Sequence, residues 1–335
     1  MSFRIRQQQF RGPASGPHLL ITGGVHGDEF EPIAAIRRLA GMLATSNSVS
    51  QTPDDPASAP PSDNVTLLRG TVTLVPCVNE EAFLLGSRCA ADKLDLARTC
   101  PGRPDGSVTE QVAYDLSQLI RTADFYIDLH TGGTEFSILP LSGYVLHSDP
   151  AVLEHQRRMA RAFQLPLIWG TSPELEGRSL SVARDANVPA IYCEHGGAAS
   201  CSPAGVVAYV NGCLNVLGLL EMIDRPSVDL SVPQLVEEPQ PDSGHLQICN
   251  PSPVDGFFEP AVSLGDKIDA DAPIGSVIDL CNDETHVVRS QHSGIVLMLR
   301  TFPRVSAGDS VGVVLAEESN ERSDLQVSDK GEPQV

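Results

Sequence analysis

The chain has few aromatic residues, few basic residues and no long apolar run, and each shortage narrows its possible roles. Only 5% of its 335 residues are aromatic, so aliphatic side chains must form most of the core. The 23 Lys and Arg residues are outnumbered by 43 Asp and Glu, which gives a formal net charge of −20. Because nucleic acids and anionic membrane surfaces attract cationic proteins, this balance argues against either as a partner.

Hydrophobic stretches and cysteine usage bear on where the protein works. No apolar stretch approaches the roughly 20 residues that a membrane-spanning helix requires. The first residues lack the apolar segment of a secretory signal peptide. The eight cysteines are scattered without CxxC pairs, which is typical of reduced thiols in a large chain. We therefore expect a cytoplasmic protein.

Segments with strand and helix spacing alternate through the first two thirds of the chain. Strands are predicted at residues 19–22, 71–75, 124–129 and 190–193, and helices at 32–43, 108–122, 153–163, 180–187 and 206–223. This alternation is typical of an α/β domain with a largely parallel sheet, which we assign to residues 1–223. Within it, residues 45–64 are rich in Ser, Pro and Asp and predict a mobile surface loop.

The character of the sequence changes after residue 223. Residues 224–242 are rich in proline and acids and predict a linker. Residues 243–316 contain short strand-like segments, the first at 244–248, and an approximate internal repeat, and this pattern resembles the small β-sandwich of lipoyl- and biotinyl-carrier modules. The middle hairpin lacks the lysine that a carrier needs, so we expect a structural module or a lid over the site. Residues 317–335 are polar and acidic and predict a disordered tail.

Short apolar strands deliver polar residues at glycine-rich ends. His26 and Glu29 lie in GGVHGDE, His130 lies in DLHTGG, and Glu194 lies in CEHGG. Two histidines and one carboxylate are a frequent ligand set for catalytic zinc, which keeps its fourth position for water. A further carboxylate can act as a base toward that water. Because sites in α/β sheets usually form at the carboxyl ends of strands, we expect these motifs to meet.

Each of these residues also has a simpler explanation. His26 and Glu29 can face one ion if the chain forms a helix there, but acidic residues also suit helix N-termini in general. Asp128 lies two positions before His130 on the same strand face, where it either orients that imidazole or caps a turn. A carboxylate at the end of a buried strand, such as Glu194, is costly unless it has a partner or a function; the simpler explanation is a contact that caps a helix N-terminus at the following loop.

In order and spacing, these segments resemble those of the succinylglutamate desuccinylase/aspartoacylase family, a branch of the zinc carboxypeptidase-like hydrolases. The matching stretches are residues 23–29, 75–88, 94–102, 128–132 and 194–197. The resemblance implies an α/β fold with a mixed, mostly parallel sheet flanked by helices, and the C-terminal β module looks like those of some members. It also implies one zinc ion per chain, held by His26, Glu29 and His130.

The resemblance further implies roles for a fourth acid and for several arginines. Glu194 looks like the general base that deprotonates water and then passes the proton to the leaving amine. Arg88 looks like the group that polarises the scissile carbonyl, and Arg98 looks like a clamp for the substrate carboxylate. A further carboxylate-binding arginine corresponds to either Arg178 or Arg184, and the two stay alternatives.

Three positions depart from the family pattern. Ala97 replaces an asparagine that would help to bind a substrate carboxylate, Cys100 replaces an aromatic residue, and Glu80 replaces a proline. The metal ligands are retained while the substrate pocket is altered. The resemblance therefore implies a reaction class rather than a particular substrate.

We predict a zinc-dependent amidohydrolase that cleaves a small N-acyl amino acid, N-acetyl or N-succinyl, into a carboxylate and a free amine. Family members with a β module include deacetylases of N-acetylated diamino acids, which makes such a compound the sharper expectation. A metallocarboxypeptidase acting on short peptides is the alternative, although Ala97 weakens the carboxylate clamp that it needs. A non-enzymatic binding protein is a third hypothesis. The partner is then a small molecule, and the sequence leaves a homo-oligomer open.

Overall fold

The computed structural model describes residues 5–44, 64–231, 234–241, 243–244 and 249–316. The predicted acidic tail, the predicted loop apart from its last residue, and most of a short strand expected at 244–248 lie outside the described residues. None of the helices in the described part of the chain is long and apolar enough to cross a membrane.

The helices and strands follow the predicted alternation and add elements to it. The helices are α1 (Phe30–Ala44), α2 (Glu80–Leu85), α3 (Val108–Arg121), α4 (Pro150–Phe163), α5 (Ser179–Asp185) and α6 (Pro203–Leu219), with a 3-10 helix at Leu96–Arg98. The first eight strands are β1 (Gln8–Arg11), β2 (Ala14–Thr22), β3 (Arg69–Val75), β4 (Phe125–His130), β5 (Phe136–Val145), β6 (Leu167–Thr171), β7 (Ala190–Gly197) and β8 (Gln234–Glu237). The later strands are β9 (Gly256–Pro260), β10 (Lys267–Ile268), β11 (Pro273–Ile278), β12 (Thr285–Arg289), β13 (Gly294–Arg300), β14 (Arg304–Val305) and β15 (Gly312–Ala316).

A large mixed sheet organises the molecule. Its central strands β3, β2, β4 and β7 are parallel neighbours, and β5 pairs with β7 in the antiparallel sense. The carboxyl half of β5 continues through β6 to β8 by parallel pairing, while its amino half pairs with β13. A second sheet, β12-β11-β9-β14, is entirely antiparallel. The predicted fold class, a mostly parallel sheet flanked by helices with a small β module, is confirmed.

The central strands of the large sheet are buried on both faces, as their continuous apolar sequences require. Along β2, Leu19 and Ile21 pack in a cluster with α1, α4 and α6, whereas Leu20 packs in another cluster with α3 and α5. Successive side chains of a strand point to opposite faces, so one apolar run contributes to both cores. This double burial fixes the positions of the strand ends that carry the polar motifs.

The C-terminal segment is hydrogen-bonded into the large sheet. Met298 of β13 lies opposite Ile138 of β5, and the second sheet packs on β13 and β15 through an apolar cluster that includes Phe258 and Val296. The division of the chain into two domains stays a prediction.

Strand β8, at residues 234–237, lies inside the segment predicted as a linker. Its acidic residue Glu237 accepts hydrogen bonds from Arg157 at 2.8 and 2.7 Å and from Tyr144 at 2.6 Å. The acidic composition that suggested a linker therefore serves a specific contact with α4 and β5.

Candidate active site

The three glycine-rich motifs meet at the carboxyl ends of neighbouring parallel strands. Thr22 at the end of β2 lies opposite Asp128 of β4, and His130 at the end of β4 lies opposite Glu194 of β7. The prediction that the motifs meet at this edge of the sheet is confirmed.

His26 and Glu29 converge through a turn and not through a helix. Helix α1 begins only at Phe30, so the argument from a shared helix face is wrong for this pair. Nδ1 of His26 lies 2.6 Å from Oε1 of Glu29, and Nδ1 of His130 lies 3.0 Å from Oε2 of the same carboxylate. All three side chains are buried, and their donor atoms lie within 4.8 Å of one another.

The turn requires glycine where it passes α2. A Cβ atom on Gly27 would lie 2.0 Å from the carbonyl carbon of Ala82. Because no side chain fits there, the start of α1 and helix α2 approach each other directly. This approach places the segment after α2, including Arg88, beside the histidines.

Each imidazole is held from behind by a second carboxylate. Nε2 of His130 lies 3.2 Å from Oδ2 of Asp128, and Nε2 of His26 lies 3.1 Å from Oδ1 of Asp95. Such contacts fix the tautomer and orientation of a ligand imidazole. Asp128 therefore lies where it was predicted. The sequence analysis does not identify Asp95, although this residue lies in the stretch 94–102 and His26 needs an acceptor equivalent to Asp128.

Asp95 also fixes Arg88. The arginine donates to Oδ2 of Asp95 from Nε at 3.2 Å and from Nη2 at 3.0 Å. Burial opposes ionisation of Asp95, but His26 and Arg88 together hold the pKa of this carboxyl well below its usual range. Burial likewise opposes the charge of Arg88, but Asp95 and Glu29 raise its pKa. The guanidinium therefore stays charged and in one orientation.

Glu194 lies in the carboxyl half of β7. Its Oε2 is buried and has no hydrogen-bond partner within the described ranges, so the simple explanation as a helix cap does not account for it. Burial raises the pKa of Glu194 to about 8, against the lowering effect of His130. A carboxyl with a pKa near neutrality can both accept and return a proton.

A pocket of about 450 Å³ opens over these groups. Its wall contains every predicted site residue apart from Asp128, which lies behind His130, and Arg184. Further wall residues come from the loop between β4 and β5, including Glu135, and from the C-terminal segment, including Met298 and Phe302. The expectation that the C-terminal segment borders the site agrees with this wall.

The structure distinguishes the two alternative arginines. Arg178 lies in the pocket wall, where Nη2 donates to the carbonyl of Gly244 at 3.0 Å. Burial and the neighbouring charge of Arg98 lower the pKa of Arg178 to about 10. Arg184 instead lies outside the wall, with Nη2 2.6 Å from Glu176. Two mutually repelling guanidinium groups in one pocket favour an anionic ligand, and by its position Arg178 can reach such a ligand there whereas Arg184 is not in the wall.

The cluster of His26, Glu29 and His130 has the composition of a divalent cation site. In the part of the chain that the structure describes, it is the one group of three such donors. Two imidazole nitrogens and one carboxylate, facing a pocket on the fourth side, suit Zn²⁺ in an open catalytic site. The two outer carboxylates complete the arrangement that such ligands usually have.

Metal binding to the metal-free protein at pH 7 is expected to release protons. Burial alone would lower the pKa of His130, but Asp128 and Glu29 raise it well above its usual value, and Glu194 titrates near 8. A bound dication displaces the proton of its ligand His130 and, by its positive charge, lowers the pKa of the neighbouring Glu194. Affinity therefore rises with pH, and the release from Glu194 fades above its pKa. Calorimetric titrations with Zn²⁺ in buffers of different ionisation enthalpy measure this release, and a heat independent of buffer would contradict it.

The chain is similar in sequence to known proteins. The catalytic-domain model of the succinylglutamate desuccinylase/aspartoacylase family matches residues 61–220. The N-alpha-acetyl-L-2,4-diaminobutyric acid deacetylase of Halomonas elongata is 31% identical over 317 residues, covering 89% of this chain and 82% of that protein.

Solved structures extend the likeness over nearly the whole chain. The product-bound ectoine utilization protein of Ruegeria pomeroyi is 25% identical with a TM-score of 0.77, covering 93% of this chain and 89% of that one. A succinylglutamate desuccinylase/aspartoacylase from Rhodobacter sphaeroides is 24% identical with a TM-score of 0.76, covering 94% and 89%. The second likeness concerns the fold alone.

Proposed function

Because this chain belongs to the succinylglutamate desuccinylase/aspartoacylase family, we propose that it is a zinc-dependent hydrolase of small N-acyl amino acids. The observation that carries the proposal is the buried group of His26, Glu29 and His130 beside Glu194, whose Oε2 has no hydrogen-bond partner among the described residues. Both lie in one pocket with Arg98 and Arg178, which suit the carboxylate of an amino acid.

The chain's own residues account for the proton transfers and the orientation of the substrate. When bound, Zn²⁺ supplies Lewis acidity that lowers the pKa of water toward about 7 and polarises a carbonyl group. Glu194 has a free buried oxygen, which takes the proton of the attacking water. The same carboxyl then returns the proton to the leaving nitrogen, as its raised pKa permits.

Arg88 is arranged to stabilise the charge that develops on the carbonyl oxygen. Two of its nitrogens, Nε and Nη2, are used by Asp95, which leaves Nη1 for the substrate oxygen. A donor that is already oriented loses little free energy in reorganisation when the charge appears. Arg98 and Arg178 hold the carboxylate of the amino acid, so the scissile amide lies between Arg88 and this pair.

The name of the Halomonas relative indicates which substrates to test first. That protein is a deacetylase of an acetylated diamino acid, so we propose an acetyl group as the acyl part and a diamino acid as the amine. Hydrolysis releases acetate and the free diamino acid.

A substrate screen of the zinc-loaded protein tests the proposal. N-acetyl and N-succinyl amino acids are assayed beside amino-terminally blocked dipeptides, with chelator-treated protein as the control. We expect turnover of N-acyl amino acids that disappears with chelator and returns with Zn²⁺. Turnover of dipeptides alone would instead establish a metallocarboxypeptidase.

A further inference from the structure

Asp28 is a buried acid of the pocket wall that the proposed reaction does not use. Only 7% of its surface is exposed, and it lines the pocket between the two ligands of the GGVHGDE motif. Oδ2 accepts a hydrogen bond from the backbone N–H of Thr134 at 2.8 Å. Oδ1 is buried and has no hydrogen-bond partner in the described residues. A buried carboxylate oxygen without a partner is costly, which indicates that a ligand supplies the missing donor.

The other acids of the pocket wall differ from Asp28. Glu29 is held by two imidazoles, and Glu194 is accounted for as the base. Glu135 is half-exposed, and its Oε2 lies 3.5 Å from Nη2 of Arg300. The charge of Asp28 contributes to the raised pKa of Arg88, but its Oδ1 has no hydrogen-bond partner among the described residues. Asp28 is thus the wall acid that combines deep burial with an oxygen that no hydrogen bond and no step of the proposed reaction engages.

A purely structural role does not account for both oxygens of Asp28. The bond to Thr134 holds the loop between β4 and β5 in place, and one oxygen suffices for it. An amide side chain would hold the loop equally well and would avoid burying a charge. The carboxylate is therefore suited to a cationic donor that enters the pocket with the substrate.

We propose that Asp28 binds a positively charged ammonium group on the amino acid part of the substrate. The pocket then recognises two charged groups of the amino acid part: Arg98 and Arg178 bind its carboxylate, and Asp28 binds its second amino group. This inference rests on the proposed function and deepens it, because it selects monoacylated diamino acids over neutral N-acyl amino acids.

Two nearly isosteric substrates test the inference. In Nα-acetyl-L-norvaline, a methyl group replaces the ammonium of Nα-acetyl-L-2,4-diaminobutyrate. We expect the parent protein to favour the cationic compound by at least about 10-fold in kcat/KM, as a charge-assisted hydrogen bond provides. Asp28→Asn should abolish most of this preference by raising KM for the cationic compound, while turnover of the norvaline derivative falls far less. The asparagine keeps an acceptor for Thr134.

The control is Glu135→Gln, which removes another acid of the same wall that already has an arginine partner. It should reduce the preference much less than Asp28→Asn. Zinc content and thermal melting establish that both variants are folded and loaded. An Asp28→Asn variant that keeps the parental preference, or that loses activity equally toward both substrates, would overturn the inference.

Kinetics with the two acetyl compounds distinguish a failure of the role of Asp28 from a failure of the proposed hydrolase function. Equal turnover of both acetyl compounds by the parent protein rejects the role of Asp28 and leaves the hydrolase proposal standing. If neither compound is hydrolysed, the hydrolase proposal fails for this substrate class, and calorimetry still tests Asp28. In that case the parent should bind free L-2,4-diaminobutyrate more tightly than L-norvaline, and loss of this difference in Asp28→Asn supports the inference. No difference in the parent overturns it.

Discussion

Replacing Glu194 by glutamine is expected to lower kcat by about 10²- to 10⁴-fold, the usual contribution of a general acid–base group, without loss of bound zinc or of stability. The amide cannot take a proton from water, whereas His26, Glu29 and His130 are untouched. Since the pKa of Glu194 is about 8 in the metal-free protein, its carboxyl is largely protonated at pH 7, and glutamine is close to that form in shape and charge. Steady-state kinetics, elemental analysis and thermal melting measure the three outcomes.

The matched control is Glu154→Gln, the same chemical change at an exposed position of α4. It should behave as the parent protein does. If Glu194→Gln kept its zinc and turned over substrate at the parental rate, the proton transfers assigned to Glu194 would be wrong. The hypothesis of a binding protein would then gain support.

Replacing Glu29 by alanine is expected to weaken zinc binding more than any change behind the ligands does, and to abolish activity with it. The carboxylate contacts both imidazoles, so its removal takes away one ligand and also the charge that organises the other two. Changes to residues behind the ligands typically cost about 10- to 100-fold in metal affinity. We expect the loss in Glu29→Ala to exceed that range in competition titrations with a chromophoric chelator.

Asp128→Asn is the comparison for the change at Glu29. Both oxygens of Asp128 are in use, because Oδ1 accepts from Thr22 at 2.8 Å and Oδ2 faces His130 at 3.2 Å. The amide keeps one acceptor and loses the other, so zinc affinity should fall within the range of about 10- to 100-fold. Equal affinities in Glu29→Ala and the parent protein would remove Glu29 from the proposed ligand set.

The ends of the strands could be predicted from sequence because each one carries its own local signal. His130 and Glu194 follow apolar runs and precede glycine-containing segments. Parallel pairing brings the carboxyl ends of such strands to one edge of the sheet. Asp95 carries no such signal, since it caps a short 3-10 helix whose position depends on contacts with distant residues. Its role becomes visible only when the distances to His26 and Arg88 are known.

Strands β5, β6 and β8 were missed for a related reason. The sequence of β5 includes Pro140 and Gly143, which interrupt the apolar pattern that marks a strand. β6 is a short run of five residues that includes Gly170, and β8 lies in an acidic stretch. These strands form because neighbouring strands offer them a free edge to pair with. Such an edge is a property of the assembled fold and not of a local segment.

The choice between Arg178 and Arg184 also needed three-dimensional information. The two residues lie at opposite ends of α5, with Arg178 immediately before the helix and Arg184 in its last turn. Sequence spacing places both near the site, but only the direction in which the chain enters α5 determines which one faces the pocket.

The pairing of β13 with β5 has a consequence for how the protein matures on the ribosome. All the proposed zinc ligands and the base are synthesised by residue 194, whereas the strand that covers the amino half of β5 is made only at residues 294–300. Until then, the nascent chain presents an unpaired strand edge next to an incomplete pocket, whose wall still lacks Met298 and Phe302. Such edges promote aggregation. A truncated translation product would therefore require protection by chaperones, and the pocket is complete only when the final strands have been synthesised.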